Sequence, residues 1–371
     1  MSLMQEMGAR ALKLGIPLSV QLDVTYRCNE RCVHCYLDHN DYGEMTTAEI
    51  KDLLDQLAAA GVFFLVFSGG EVFLRRDFFE LLEHARSLTF SVKVKTNAIM
   101  IGEKEADRLA ELGLHGVQVS VYSHRPEVHD RITKVPGSLE RTLAGARLLR
   151  ERGVNVIFAN VLMGPNAADY PAVRSLALEI GAEYTVDPTI TPMMDGQRGV
   201  LEWNIRQAEL QKVMRDPALV GSVEDFCAPP SGPLSEQDAY ETLPCSAGHT
   251  ACYVSPYGDV YPCVQFPLPT GNVRKQKFID IWLYSPQFQE VRSISMADLQ
   301  GCSKCVHSGS CSRCPGLAYM EGNMRGPSIQ DCEKSFARTG IPSENLLKKH
   351  PELVQITNFN PASPRPAFQI S

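Results

Sequence analysis

The cysteines divide this chain of 371 residues into one stretch that must fold on an apolar core and another that must fold around something else. Of twelve, Cys28, Cys32 and Cys35 lie close together, none falls between Cys35 and Cys227, and nine run from Cys227 to Cys332. Disulfides are not expected of them. The run Met1-Ser2-Leu3-Met4-Gln5-Glu6 lacks the basic-then-apolar order of a secretory signal, and no segment approaches the roughly 20 apolar residues that span a bilayer. The chain is therefore expected in the cytoplasm, away from membranes, where thiols stay reduced and clustered cysteines serve metals or catalysis. A net charge of -7, with no long Lys/Arg block, offers no basic face to nucleic-acid phosphates. A peptide or small protein is the better-matched partner.

Between the two cysteine groups, residues 18–188 alternate strand-like apolar runs with amphipathic stretches, the pattern of βα units on a parallel sheet. Six strands are expected, running from Ser19 to Thr25, Val62 to Ser68, Ser91 to Thr96, Gly116 to Tyr122, Val154 to Met163 and Ala182 to Asp187. Thr46-Thr47-Ala48-Glu49 is a capping box opening a helix that Gly61 closes, and Pro136-Gly137-Ser138 opens another that Gly153 closes. Six sequential units make an α/β fold, a partial (β/α)6 TIM-like barrel whose chemistry gathers at the C-terminal strand edge. With 44% hydrophobic residues the chain can bury such a core.

Residues 1–17 then form an N-terminal extension and 189–244, proline-rich with a short helical pattern around Ile205 to Met214, a linker. Residues 245–335 are rich in Cys, Gly and Pro and short of helical periodicity, as where metal clusters replace an apolar core. Residues 336–371, with Asn358-Phe359-Asn360-Pro361 near their end, read as an irregular tail.

The first cysteine group, Cys28-Asn29-Glu30-Arg31-Cys32-Val33-His34-Cys35-Tyr36, falls on the loop after the first expected strand. A four-iron cluster has four irons to ligate, so three thiolates leave one iron open to something that reacts. The competing reading is a zinc knuckle completed by His34 or His39. C-x3-C-x2-C followed by an aromatic, on the first loop of an αβ barrel, resembles the radical S-adenosylmethionine superfamily. The resemblance implies that the amino and carboxylate groups of S-adenosylmethionine chelate the open iron. One electron then cleaves the sulfonium to a 5′-deoxyadenosyl radical that abstracts hydrogen. It also implies an electron donor of flavodoxin or ferredoxin type.

Ser68-Gly69-Gly70-Glu71, after the second strand, is similar to the family's Gly-Gly-Glu segment for the methionyl ammonium, with Val72 in place of the usual proline. Glycines admit close backbone approach and a carboxylate accepts from a cationic amine. Asn97, in Lys95-Thr96-Asn97, matches the Thr-Asn-Gly segment near the ribose, with Ala98 replacing glycine. By the same resemblance Ser120 and Arg131 contact the cosubstrate, Arg131 through its carboxylate, while Tyr36 and Leu162 are candidates to pack on adenine.

The later cysteines resemble the SPASM domain, in which two auxiliary clusters are held by interleaved ligands. The matching features are Gly258-Asp259-Val260-Tyr261-Pro262-Cys263, Gly271-Asn272, Ile281-Trp282 and the run from Gly301 to Cys314. The resemblance assigns Cys245, Cys252, Cys263 and Cys314 to the first auxiliary cluster, and Cys302, Cys305, Cys311 and Cys332 to the second. Variable spacing around Cys252 and the short Cys311–Cys314 interval leave the fourth ligand of the first site open, and Cys227 is spare. Two zinc ribbons are the alternative.

Two auxiliary clusters beside a radical generator imply an oxidative reaction, since the substrate radical must lose an electron. Families of this architecture modify peptides or proteins. The pyrroloquinoline quinone and mycofactocin maturases have similar length, and about eighteen residues before the first strand leave no room for a leader-binding domain, so a separate small leader-peptide-binding protein is expected. A sulfatase-maturing enzyme would carry aspartate after the position of Cys263, where this chain has Val264. A porphyrin-modifying enzyme of haem biosynthesis and a non-catalytic iron–sulfur electron carrier are the remaining alternatives.

Overall fold

The computed structural model describes residues 3–356. A first helix, α1 (Leu3–Leu14), precedes β1 (Ser19–Thr25), after which strands and helices alternate. They are α2 (Thr47–Ala59), β2 (Phe64–Gly69), α3 (Phe78–Ser87), β3 (Ser91–Thr96), α4 (Glu103–Glu111) and β4 (Gly116–Ser120). Then come α5 (Pro126–Thr133), α6 (Ser138–Glu151), β5 (Val156–Val161), α7 (Tyr170–Ile180) and β6 (Glu183–Asp187). The six strands are parallel, in the order β6-β5-β4-β3-β2-β1, and the sheet does not close: a partial barrel. The capping box at Thr46 is formed, the Thr46 side chain accepting from Glu49 N and Glu49 reaching back to Thr46 N.

Alternation along the strands decides what lies on each face. Val20, Leu22 and Val24 of β1 share one core with Leu65, Phe67, Val92, Val94 and the α2 residues Leu53, Leu54 and Leu57. Residues of the opposite parity, such as Lys95, Gln118, Ser120, Thr185 and Asp187, face a cavity instead. The barrel interior is polar and open because the sequence alternates Val with Lys, Gln and Ser.

β1 is not an edge. β7 (Ala251–Val254) pairs parallel with it, from Ser19↔Ala251 to Leu22↔Val254, and β8 (Asp259–Tyr261) and β9 (Gly271–Asn272) continue antiparallel. Residues 246–292 thus belong with the barrel: the chain separates into unit 1, up to Trp203 plus Ser246–Arg292, and unit 2, Asn204–Cys245 plus Ser293 onward. That division differs from the boundary expected at 245, because the unpaired edge of β1 takes up β7 and Trp282, Phe278 and Phe288 join the barrel core.

Unit 2 carries more helix than its composition suggested. Gln207–Val213, Glu236–Glu241, Pro315–Met320, Ile329–Thr339 and Glu344–Lys349 are helical. The stretch expected to be an irregular tail begins inside one of these helices. Its residue Ser343 caps the next, and Leu346 is buried in a cluster with Cys332. The segment from Asn358 to Pro366 lies outside the described residues.

Candidate functional site

Cys28, Cys32 and Cys35 lie on the loop after β1, which is tied down on two sides. Gly70 N donates to Thr25 O (2.8 Å) and Glu71 N to Arg27 O (2.9 Å), while Arg31 N and Val33 N donate to Thr133 O and Ile132 O at the end of α5 (3.0 Å each). All three thiols line one cavity of about 600 Å³ within unit 1, at the C-terminal ends of the parallel strands. Burial pushes the Cys28 thiol up to about 12, Cys35 up to about 11 and Cys32 well above its usual range. Only a cation such as iron would hold them as thiolates. The donor set fits a four-iron cluster with one iron left for another ligand, since each thiolate of such a cube binds a different iron and these three are the cysteines in the wall. Among the described residues no three His, Cys, Asp or Glu side chains converge on a single-ion position.

The residues expected around a cosubstrate divide into two sets. Tyr36, Gly69, Gly70, Asn97 and Ser120 line the cavity. Glu71 does not: its carboxylate is fully buried, accepting from Thr96 Oγ1 (2.8 Å), Asn97 N (2.8 Å) and Phe73 N (3.2 Å). Burial raises its pKa against those hydrogen bonds. From there it fixes the end of β3, so that Asn97 Nδ2 reaches Asn29 Oδ1 in the cysteine loop (2.6 Å). Arg131 is exposed on α5, and Leu162 is fully buried; neither borders the cavity.

The two glycines approach protein backbone rather than open space. A Cβ at Gly69 would lie 2.1 Å from Thr25 O, and one at Gly70 would lie 2.2 Å from Arg27 O. Gly69 also sits at φ +134°. These residues lock the cysteine loop against β2. Ala98, standing where the family has glycine, is in the left-handed region at φ +60°.

Several cavity residues were not singled out from sequence. Glu30, inside the cysteine loop, is 3% exposed, and its Oε2 lies 3.3 Å from Cys32 Sγ while Oε1 has no partner. Burial pushes its carboxyl up to about 7 and the His34 imidazole down to about 4. Lys95 borders the cavity and donates to Gln21 Oε1 (2.9 Å), beside the fully buried Asp23. Asp23 accepts from Tyr253 Oη (3.0 Å) on β7, which is 2.7 Å from Tyr26 Oη. Thr191, from the expected linker, accepts from Gln265 Nε2 (2.7 Å), and Val264 and Gln265 line the same cavity. Polar residues on the inward parity of β1 and β3 were the available signal.

In unit 2, Cys302, Cys305, Cys311 and Cys332 line a second cavity together with His307, Arg313 and Asp331. The loop brings them round through Cys305 N to Cys302 O (3.0 Å) and Cys311 N to His307 O (2.8 Å), and Cys332 enters from the helix Ile329–Thr339. Burial raises the Cys302 thiol to about 11 and Cys332 to about 12. Cys314 is not in that wall; it caps the helix Pro315–Met320, and its N–H donates to Asp331 Oδ2 (2.7 Å). Cys252 is buried on β7 and Cys263 follows β8, both in unit 1, whereas Cys245 and Cys314 belong to unit 2. The spare Cys227 ends a short helix, its thiol donating to Met214 O (3.4 Å).

Comparison with known proteins adds independent findings. The sequence profile of the radical SAM superfamily matches residues 22–176, and that of an iron–sulfur cluster-binding domain, SPASM, matches residues 245–315. The PqqA peptide cyclase of Xanthomonas campestris is 32% identical over 91% of this chain and 94% of its own length. The mycofactocin maturase MftC of Mycobacterium tuberculosis is 30% identical over 91% and 88%. An AdoMet-dependent heme synthase of Methanosarcina barkeri is 28% identical over 82% and 92%. Among solved structures, Streptococcus suis SuiB bound to its precursor peptide SuiA superposes with a TM-score of 0.69 at 18% identity, covering 88% of this chain and 79% of that one.

Proposed function

The chain belongs to the radical S-adenosylmethionine superfamily and carries a SPASM domain, and on that premise we propose that it oxidatively modifies a peptide or protein, forming a cross-link or a related maturation product. Its cofactors are S-adenosylmethionine, a 4Fe-4S cluster and auxiliary iron–sulfur clusters. When bound, they supply reductive cleavage to a 5′-deoxyadenosyl radical and an outlet for the electron left on the substrate.

The observation that carries this reading is the single cavity shared by Cys28, Cys32, Cys35, Val264 and Gln265. At about 600 Å³ it is within the size range of small-molecule sites. The cysteines hold the cluster there, while Gly70, Asn97 and Ser120 border the space for the cosubstrate. Val264 and Gln265, next to Cys263, put the substrate side of the cavity beside an auxiliary ligand. Val264 has no acid–base group, which disfavours the sulfatase-type reaction. The reading includes an electron donor of flavodoxin or ferredoxin type and a separate leader-peptide-binding protein. No described helix is long and apolar enough to cross a membrane.

A porphyrin substrate is the second reading, favoured by the heme synthase relative. Its propionates would seek cations, and the cavity wall offers Lys95, already donating to Gln21, and no arginine. Under reducing, anaerobic conditions the enzyme should form 5′-deoxyadenosine from S-adenosylmethionine and lower the mass of a peptide substrate by abstracted hydrogen. Replacing Cys28, Cys32 and Cys35 with Ala should abolish the cleavage. Intact cleavage in that variant would remove the cluster assignment, and turnover of a porphyrin alone would replace the peptide reading.

A further inference from the structure

In unit 2, the cavity bordered by Cys302, Cys305, Cys311 and Cys332 contains a buried cation that the four-thiolate assignment does not use. Arg313 is 5% exposed. Its Nε donates to Gly326 O (2.8 Å) and its Nη2 to Met324 O, so two backbone carbonyls clamp one edge of the guanidinium. Nη1, equally buried, has no oxygen partner, and the guanidinium lies against the Cys302 side chain in hydrogen-bonding range. A desolvated guanidinium is costly unless an anion answers it.

The neighbouring carboxylate answers it only in part. Asp331 acts on Arg313 through space, but its hydrogen bonds go elsewhere, Oδ2 accepting from Cys314 N (2.7 Å) and Oδ1 from Lys334 Nζ (2.9 Å). Lys334 shares Asp331, which leaves much of the Arg313 charge to the contents of the cavity.

We propose that Arg313 is a positioning residue for the second auxiliary cluster, raising its reduction potential so that it takes an electron more readily. The inference rests on the assignment of Cys302, Cys305, Cys311 and Cys332 as ligands. Four thiolates around four irons carry net negative charge, and reduction adds one electron without making or breaking a bond. A fixed positive charge at contact distance stabilises the reduced form more than the oxidised one. A guanidinium donor against the sulfur of Cys302 acts in the same direction.

The test uses the full-length protein with Cys28, Cys32 and Cys35 replaced by Ala, so that only the auxiliary clusters contribute to an anaerobic potentiometric titration read by electron paramagnetic resonance. Arg313→Gln should lower one of the two reduction midpoints and leave the other in place, and Arg313→Lys should recover most of the shift. Unmoved midpoints in a fully iron-loaded Arg313→Gln protein overturn the proposal. Loss of about four irons in Arg313→Gln but not in Arg313→Lys supports it, because charge alone then retains the anionic group. Loss in both reduces Arg313 to a clamp for two carbonyls and overturns it. Replacing Cys305, Cys311 and Cys332 together with Ala separates the premise: unchanged iron content there refutes the ligand assignment itself, whatever Arg313 does.

Discussion

The two units of this chain bury very different amounts of apolar surface. Unit 1 has one continuous core that runs from Val20 through Leu54, Phe67 and Phe158 to Trp282 and Phe288. The apolar clusters of unit 2 hold a few residues each: Ala239, Ile294, Met296 and Leu299 in one, Cys332, Leu346 and Leu353 in another. Among the described residues so little core needs another source of folding free energy, and on the proposed reading metal held by the four thiols around one cavity would supply it. Cys28, Cys32 and Cys35 contrast with these thiols. They sit on a loop that backbone hydrogen bonds already hold, so a cluster there would add chemistry to a loop that is in place without it.

Anaerobic removal of iron with ferricyanide and a chelator is the largest test of that contrast. Amide hydrogen exchange reads the two units separately. Protection in β1, β2 and β3 of unit 1 should be nearly unchanged after iron removal, while protection in the helix Ile329–Thr339 of unit 2 collapses. Helix protection that survives iron removal, or strand protection that falls with it, would abolish the distinction between the units.

The second test strikes the weakest point of the self-supporting unit. Gly70→Ala places a Cβ 2.2 Å from Arg27 O and 2.7 Å from Tyr26 O, both backbone atoms that no rotamer change can move aside. The cysteine loop must leave β2 or the strand end must open, at a cost of about 4 kcal/mol or more. Unfolding followed by tryptophan emission should show that loss, and cosubstrate cleavage should fall with it. A midpoint near the parent's would mean that the loop is mobile, and that the catalytic cluster, like the auxiliary ones, organises its own surroundings.

How much of this was legible in the sequence follows from the range of the interactions. Strands Ser19–Thr25 and Ser91–Thr96 end where their patterns end, and the Thr46 capping box forms, because local chemistry fixes them. The expected fifth strand is shortened on the far side because Asn166 Oδ1 accepts from Met163 N (2.7 Å) and turns the chain. The pairing of β7 with β1 joins residues more than two hundred positions apart, so no periodicity announces it. The same distance hid Gln265 from the cavity and Thr191 inside an apparent linker, whereas Val264 was reached only through the family resemblance. Glu71 was singled out for its carboxylate, but its hold on the end of β3 through Thr96 and Asn97 lies 25 and 26 residues away in the chain and no local pattern announces it.

Asp23 gives the smallest test, and it asks whether unit 1 sets its own pH response. Its carboxyl is fully buried on the inward face of β1, and burial raises its pKa from 3.8 to about 6 against the pull of Gln21, Tyr253 and Lys95. Folded protein therefore holds a proton that unfolded protein releases between about pH 4 and 6. The stabilisation from the protonated form is complete below the unfolded value and is lost as pH rises through the folded one, about 3 kcal/mol in all. Asp23→Asn keeps acceptor and size but cannot ionise. Relative to the parent, its stability should climb by about that amount between pH 4 and 6 and level off above pH 7, read from urea unfolding by tryptophan emission. A difference that stays flat across that window means that the through-space pull of Lys95 and the donors Gln21 and Tyr253 outweigh burial and keep Asp23 ionised throughout.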